Sequence, residues 1–335
     1  MLKAPENSLS LGPPLPHPAM QALWMILSAF LFATMGVCVK FASSHFASAE
    51  LVFYRGVVGI IFMAIYAKAN GTLLATRYPA MHAWRSVVGV VALSAWFYAL
   101  AKLPLATAMT LNYMSSVWIA AFLVGGTMMM SRNGQPSQKQ GPLVLAILAS
   151  FAGVVMLLRP SMGQDQAFAG LVGLLSGLGS AFAYMQVMAI SRLGEPETRT
   201  VFYFAVGTLV AGAIGMLLTH WTTGALGAPW SWQHALWLPP IGILASLGQL
   251  CMTKAYSMSH SIAAKTGSTD SNRGTLMVAN LQYSGIVFAA IYSIVLFGET
   301  IPLLGWAGMA LIVVSAVAAT VLRTRSAPNA PAEEH

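Results

Sequence analysis

Stretches of about 20 predominantly apolar residues, the length a helix needs to cross the hydrocarbon core of a bilayer, run through nearly the whole chain. Short segments rich in charges, prolines and small polar residues separate them. These interruptions delimit ten candidate helices, at 20–41, 48–67, 82–101, 106–130, 142–158, 168–191, 200–219, 235–256, 276–297 and 302–322. The pattern predicts an all-α polytopic membrane protein, since a helix in lipid can satisfy its backbone polar groups internally. Polar tails cover 1–19 and 324–335. The first tail is proline-rich and lacks the basic start and small-residue cleavage site of a signal peptide, so the first span is expected to stay as an anchor.

Composition sharpens this picture. The chain is 57% hydrophobic and only 8% charged, where soluble domains carry about 25% charged residues. Function is therefore expected inside the bilayer. The net charge of +8 comes from basic residues scattered singly between apolar runs, a pattern that marks topology and not a nucleic-acid surface. With the amino terminus inside, cytoplasmic segments hold Lys3, Lys68, Arg77, Arg85, Arg132, Lys139, Arg192, Arg199, Lys265, Arg273, Arg323 and Arg325, leaving Lys40, Arg55, Lys102, Arg159 and Lys254 elsewhere. This bias obeys the positive-inside rule with an even number of spans. Both termini are then expected in the cytoplasm of an inner or plasma membrane. Trp221, Trp230, Trp232 and Trp237 fall outside as an interfacial belt. Cys38 and Cys251 lie far apart in apolar stretches and read as buried, inert thiols.

The halves of the chain resemble each other. Tyr98-Ala-Leu-Ala-Lys-Leu-Pro-Leu-Ala and Leu111-Asn-Tyr-Met-Ser-Ser-Val-Trp are echoed by Tyr256-Ser-Met-Ser-His-Ser-Ile-Ala-Ala and Leu281-Gln-Tyr-Ser-Gly-Ile-Val-Phe, and Val52-Phe-Tyr by Val201-Phe-Tyr. The first pair is offset by 158 residues and the second by 170, which places a 12-residue insertion at about 265–276. Five spans per half is an odd number, so the second copy enters from the opposite side, giving inverted repeats over 20–160 and 161–323.

Glu50-Leu-Val-Phe-Tyr-Arg55, Phe97-Tyr-Ala-Leu-Ala-Lys-Leu-Pro-Leu-Ala-Thr-Ala108 and Phe297-Gly-Glu-Thr-Ile-Pro302, in this order along two repeats, make the chain similar to the drug/metabolite transporter superfamily, in its ten-helix EamA-type branch. The resemblance spans 20–322. Ser116 and Met128-Met129 depart from it, standing where members often carry Pro and Gly-Glu. It implies a secondary transporter moving a small organic metabolite, an amino acid or related amphiphile, by alternating access. The alternatives are a carrier of a larger metabolite such as S-adenosylmethionine, or a receptor or scaffold without transport.

Charge inside a span is costly and marks a cavity or a pathway. Arg55 sits deep in span two, about 140° round the helix from Glu50, which is too far for a clean pair. Lys40, Glu50, Lys102 and Glu299 gather at the outer end as gating or coupling candidates, or as snorkelling interface residues. Asn112 and Tyr113 in span four match Gln282 and Tyr283 in span nine. Equivalent positions of inverted repeats meet near mid-membrane, where such carriers bind substrate, so these four, with Arg55 and Trp96, are the substrate-binding candidates. Tyr98, Tyr184, Gln186 and Gln249 form a second tier. Bland helix-to-helix hydrogen bonding is the competing account.

Glycines 170, 173, 177 and 179 of span six, with Gly207, Ala211 and Gly215 of span seven, allow close helix approach. Ser115-Ser116 can soften span four by bonding back to a helical carbonyl. The sequence holds no phosphate loop and no H-E-x-x-H motif, so it reads as a non-enzyme without cofactor or metal. The expected partners are a solute and the lipid bilayer, not nucleic acid, with a homodimer left open. With Glu50 and Glu299 only at the ends and no acid deep in a span, exchange or facilitated transport is expected over proton coupling.

The topology is open to labelling. Single cysteines at Asn7, Gln135, Asn272 and Asn329 should react only from the cytoplasmic side, and ones at Gln164 and Gly224 only from outside. Labelling of Asn7 and Asn329 positions from opposite faces would sink the even-span reading.

Overall fold

The computed structural model describes residues 17–122, 141–158, 164–224, 232–266 and 280–325. Both tails, Trp230, Met128-Met129, the far end of span four and nearly all of the 265–276 insertion lie outside the described residues. Among those described, every regular element is helical: α1 His17–Ala42, α2 Ser48–Ala69, α3 Pro79–Lys102, α4 Leu105–Tyr113, α5 Gly141–Leu158, α6 Gln164–Arg192, α7 Glu197–Thr223, α8 Leu238–Thr266, α9 Ser284–Phe297 and α10 Leu303–Arg325. A single helical turn, Trp232–Ala235, precedes α8.

Local chemistry sets the ends. The Ala47 N–H donates to Glu50 Oε2 at 2.8 Å, so Glu50 caps the start of α2, an anion among the orphan donors of a first turn. Pro79 opens α3, where its missing N–H costs nothing. Leu103, held extended at φ −113° and ψ 161° by the proline that follows it, closes α3. Left-handed Gly224 and Gly298 end α7 and α9.

Six helical stretches are long and apolar enough to cross a membrane: Ala19–Ala42, Ser48–Ala69, Pro79–Lys102, Gln166–Arg192, Glu197–Thr222 and Trp232–Met258. Val144–Leu157, Ser284–Phe297 and Leu303–Ala318 are apolar but shorter. The outward faces carry exposed Ile65, Val91, Leu145, Leu217 and Val295, an arrangement suited to lipid and unsuited to water.

Among the described residues, two spans depart from continuous helices. Span four breaks at Met114, whose N–H reaches back only three residues, to Leu111 O, at 3.2 Å. Helix resumes over 115–122. The break falls one residue before the Ser115-Ser116 pair expected to soften it. Span nine, expected unbroken from 276, turns at Gln282 and Tyr283 and enters α9 only at Ser284. The two breaks thus fall at the echoed Asn-Tyr and Gln-Tyr pairs.

The helices pack mainly against partners distant in sequence: α1 against α8, α2 against α7, α3 against α6 and α5 against α10, with α4 on α9 and α6 and with α1 on α9. Gln21 Nε2 donates to Ala255 O (2.9 Å) and Ser28 Oγ to Gly248 O (2.8 Å), fastening α1 to α8. Ser150 and Ser315 hydroxyls meet at 3.0 Å between α5 and α10. At the α2–α7 crossing the backbones touch: a Cβ on Gly212 would fall 2.4 Å from Phe53 N.

Since backbone cannot yield there as a side-chain tip can, Gly212→Ala should lower the melting temperature in detergent, with an overpacking cost of about 1–3 kcal/mol. Ile214→Ala, on the lipid-facing surface at 52% exposure, should leave it nearly unchanged. Equal melting of the two variants would contradict the close crossing.

Candidate functional site

Buried polar side chains gather where α2, α3, α4, α6 and α7 meet. Arg55 of α2 and Arg85 of α3 are 4% and 2% exposed. Their Cζ atoms lie 5.1 and 4.2 Å from the centre of one ring, Phe204 of α7, where each gains a cation–π contact. With Trp96, Asn112, Tyr113 and Tyr184 they line a cavity of about 40 Å³. That is room for water and not yet for an organic solute.

Hydrogen bonds set the walls. Asn112 Nδ2 donates to Ser176 Oγ (3.1 Å) and Ser180 Oγ (3.2 Å) of α6, and Gln282 Nε2 donates to the Tyr184 hydroxyl at 3.0 Å. Small residues admit the broken segments. A Cβ on Gly177 would come within 2.6 Å of Leu111 O, and one on Gly285 within 2.2 Å of the Tyr113 hydroxyl. Tyr113 therefore lies flat on the start of α9. Several groups remain buried without a hydrogen-bond partner among the described residues: Arg55 Nε, Arg85 Nε and Nη1, Trp96 Nε1, the Tyr113 hydroxyl and Gln282 Oε1. Native proteins pair nearly all such groups, so this cavity wall carries an unusual share of unanswered polar atoms.

Of the sequence candidates, Arg55, Trp96, Asn112 and Tyr113 line the cavity, as do the second-tier Tyr184 and Gln249. Gln282 reaches it through Tyr184. Tyr283 does not join them, and lines an apolar outer groove with Ile286 and Met309. Arg85 was read as a cytoplasmic topology charge, but α3 starts at Pro79 and buries it beside Arg55. Phe204 and Ser176 escaped notice because nothing in their local sequence separates them from packing residues. Gly89, one turn further on, leaves the space that the Arg85 head fills as it folds forward along the helix.

The four expected gating residues divide. Lys40 Nζ pairs with Glu299 Oε1 at 2.5 Å and donates to Leu103 O at 2.7 Å. Glu299 Oε2 accepts the Leu105 N–H at 3.0 Å and the Ser293 hydroxyl, so this carboxylate caps α4 while holding α1. Glu50 serves α2 as a cap instead of facing the cavity, and Lys102 ends α3 exposed. At the same end the rings of His45 and His234 stack at 4.2 Å.

The opposite end carries a tie absent from the sequence reading. Thr76 Oγ1 donates to Glu195 Oε1 at 3.1 Å, and Arg199 Nη1 lies 3.3 Å from Glu195 Oε2 while its Nε donates to Leu73 O at 2.6 Å. His82 Nε2 stands 3.5 Å from the same carboxylate. Burial pushes the Glu195 carboxyl up, but the Thr76 and Arg199 hydrogen bonds, the Arg199 charge and His82 outweigh it and hold the group below the usual carboxylate range.

No protein-family model matches the chain. It is 28% identical over 296 residues to the pseudopaline exporter CntI of Pseudomonas aeruginosa, covering 88% of this chain and 94% of that one. It is 25% identical over 239 residues to a riboflavin transporter of Rhizobium johnstonii, covering 70% and 74%. The chain is a membrane transporter of a small metabolite. A solved protein crystal structure shares the fold, with a TM-score of 0.54 at 19% identity over 90% of this chain and 98% of that one.

A depressed folded-state pKa stabilises the fold above the unfolded carboxylate value, and the stabilisation disappears as pH falls through the folded one. The transporter should therefore melt higher than Glu195→Gln at neutral pH, and the gap should close as pH drops below the usual carboxylate range. A gap that persists at low pH would place the tie's strength elsewhere.

Proposed function

We propose that the chain is a ten-helix secondary transporter of the EamA-type branch, built from inverted repeats over 20–160 and 161–323, with both termini cytoplasmic in an inner or plasma membrane. The observation that carries this reading is the symmetry of the packing. If each helix of the first half is exchanged for its counterpart in the second, α1 on α8 becomes α6 on α3, α1 on α9 becomes α6 on α4, and α2 on α8 becomes α7 on α3. The α2–α7, α4–α9 and α5–α10 pairs map onto themselves. The same exchange carries the His45–His234 contact between two loops at one end into the loop contact of Thr76 with Glu195 at the other.

Such symmetry supports alternating access, in which the halves exchange conformations about a fixed central site. Breaks in α4 and at the entry to α9 give hinges beside that site, and backbone irregularity at membrane depth is tolerated where protein covers it. With the small cavity described, the Lys40–Glu299 tie closes the outer end and the Glu195 tie the inner. Entry from either side then requires one tie to open while the other holds. Asn112, Tyr113, Trp96, Arg55 and Gln282 bind the solute on this reading, an amino acid or related amphiphile. The relatives' names support transport of an organic metabolite over a receptor or scaffold. The acids that the sequence offered for coupling serve as helix caps and end ties, which favours exchange or facilitated transport over proton coupling.

Purified protein in liposomes should show counterflow, with solute inside accelerating entry of labelled solute. Tyr113→Phe, which removes only an unpaired hydroxyl, should slow this by about tenfold with an unchanged melting temperature. An imposed pH gradient should drive little accumulation. Saturable binding without any flux would support a receptor or scaffold instead.

A further inference from the structure

The central cavity holds two cations and no anion. Arg55 and Arg85 share one aromatic ring, and neither makes an ion pair among the described residues. The described acidic side chains are committed elsewhere: Glu50 to the Ala47 N–H, Glu195 to Thr76 and Arg199, Glu197 to Ser257 at 2.7 Å, and Glu299 to Lys40 and Leu105. A buried charge is tolerated when a counter-charge and hydrogen bonds compensate its lost hydration. One ring face compensates it only in part.

We infer that the transported solute is an organic anion whose carboxylate or phosphate group is held between Arg55 and Arg85. This rests on the reading of the cavity as the transport site. Three further observations favour it. The unpaired Arg55 Nε, Arg85 Nε and Nη1 and Trp96 Nε1 are donors, and donors are what an anion requires. The Arg85 side chain is pre-placed: it lies forward over Gly89, where a Cβ would lie 2.0 Å from Nη1. Counting on from the echoed Val-Phe-Tyr triplets, Arg55 of one half corresponds to Phe204 of the other. The repeats thus differ at this position, a cation in one half and a ring in the other, so that two cations gather against one ring.

The test uses purified full-length protein in a neutral detergent at constant ionic strength, titrated separately with succinate, glycerol 3-phosphate, choline and glucose while the melting temperature is followed. Succinate or glycerol 3-phosphate should raise it saturably, and which of them does so tells carboxylate from phosphate; choline and glucose should not. Arg55→Gln and Arg85→Gln should each weaken anion binding by at least about tenfold, with Arg55→Lys intermediate because it keeps the charge but loses the fork. Melting without ligand reports whether each variant is folded. Gly89→Ala, which displaces the Arg85 head without altering charge, should also weaken binding. The assignment is overturned if neither anion stabilises saturably, if choline or glucose does so instead, or if anion binding survives in folded Arg55→Gln and Arg85→Gln. Anion binding without flux in liposomes would leave the assignment standing and defeat transport. Flux of choline or glucose alone would do the reverse.

Discussion

In hydrocarbon no water stands ready to satisfy a broken helix, so every departure from regular helical bonding must be covered by protein. The two breaks among the described residues obey that constraint. Leu111 O, next to the Met114 break, lies on Gly177, where a Cβ would intrude to 2.6 Å. Across from it, Tyr113 lies on Gly285 at the start of α9. The need to cover these breaks explains why Gly173 and Gly177 of α6 face α4, and why the polar cavity forms beside them.

Charge is distributed under the same low-dielectric rule. Among the described residues, acids sit at the ends of the bundle, where helix N-termini offer N–H donors and water is close: Glu50 caps α2, and Glu299 caps α4 as much as it pairs with Lys40. Two arginines are left in the middle against one phenylalanine. This separation makes the ends fastenable by local electrostatics and leaves the centre in need of a ligand. Opening an end exchanges one carboxylate's partners for water, an inexpensive step at a membrane surface and a costly one at mid-depth.

The spans and their order could be read from the chain because the apolar period and its interruptions are local properties; α1, α2, α5 and α10 begin and end within a few residues of expectation. Asn112, Tyr113, Arg55 and Trp96, which line one buried cavity, could be singled out from the chain because polar groups in apolar spans are conspicuous. Arg85 counts among the cytoplasmic charges in the sequence, and its burial beside Arg55 was not legible there, because packing alone decides which way a side chain near a span's start turns. Tyr283 lines a different groove from its repeat counterpart Tyr113, because repeat equivalence predicts depth in the membrane but not the side to which a turn at Gln282 directs a side chain.

What the sequence determined by itself is therefore helical class, membrane setting and the echo between halves, all of which follow from periodicity and from the cost of polar groups in lipid. Only the tertiary structure decided that α1 packs on α8 and α3 on α6, that Lys40 meets Glu299 and Thr76 meets Glu195, and that both central arginines share Phe204. Those pairings join residues 60 to 260 positions apart, as with Lys40 to Leu103 and Thr34 to Tyr292. Side-chain direction and helix approach fix such contacts, and neither is written in the local pattern of hydrophobic and polar residues.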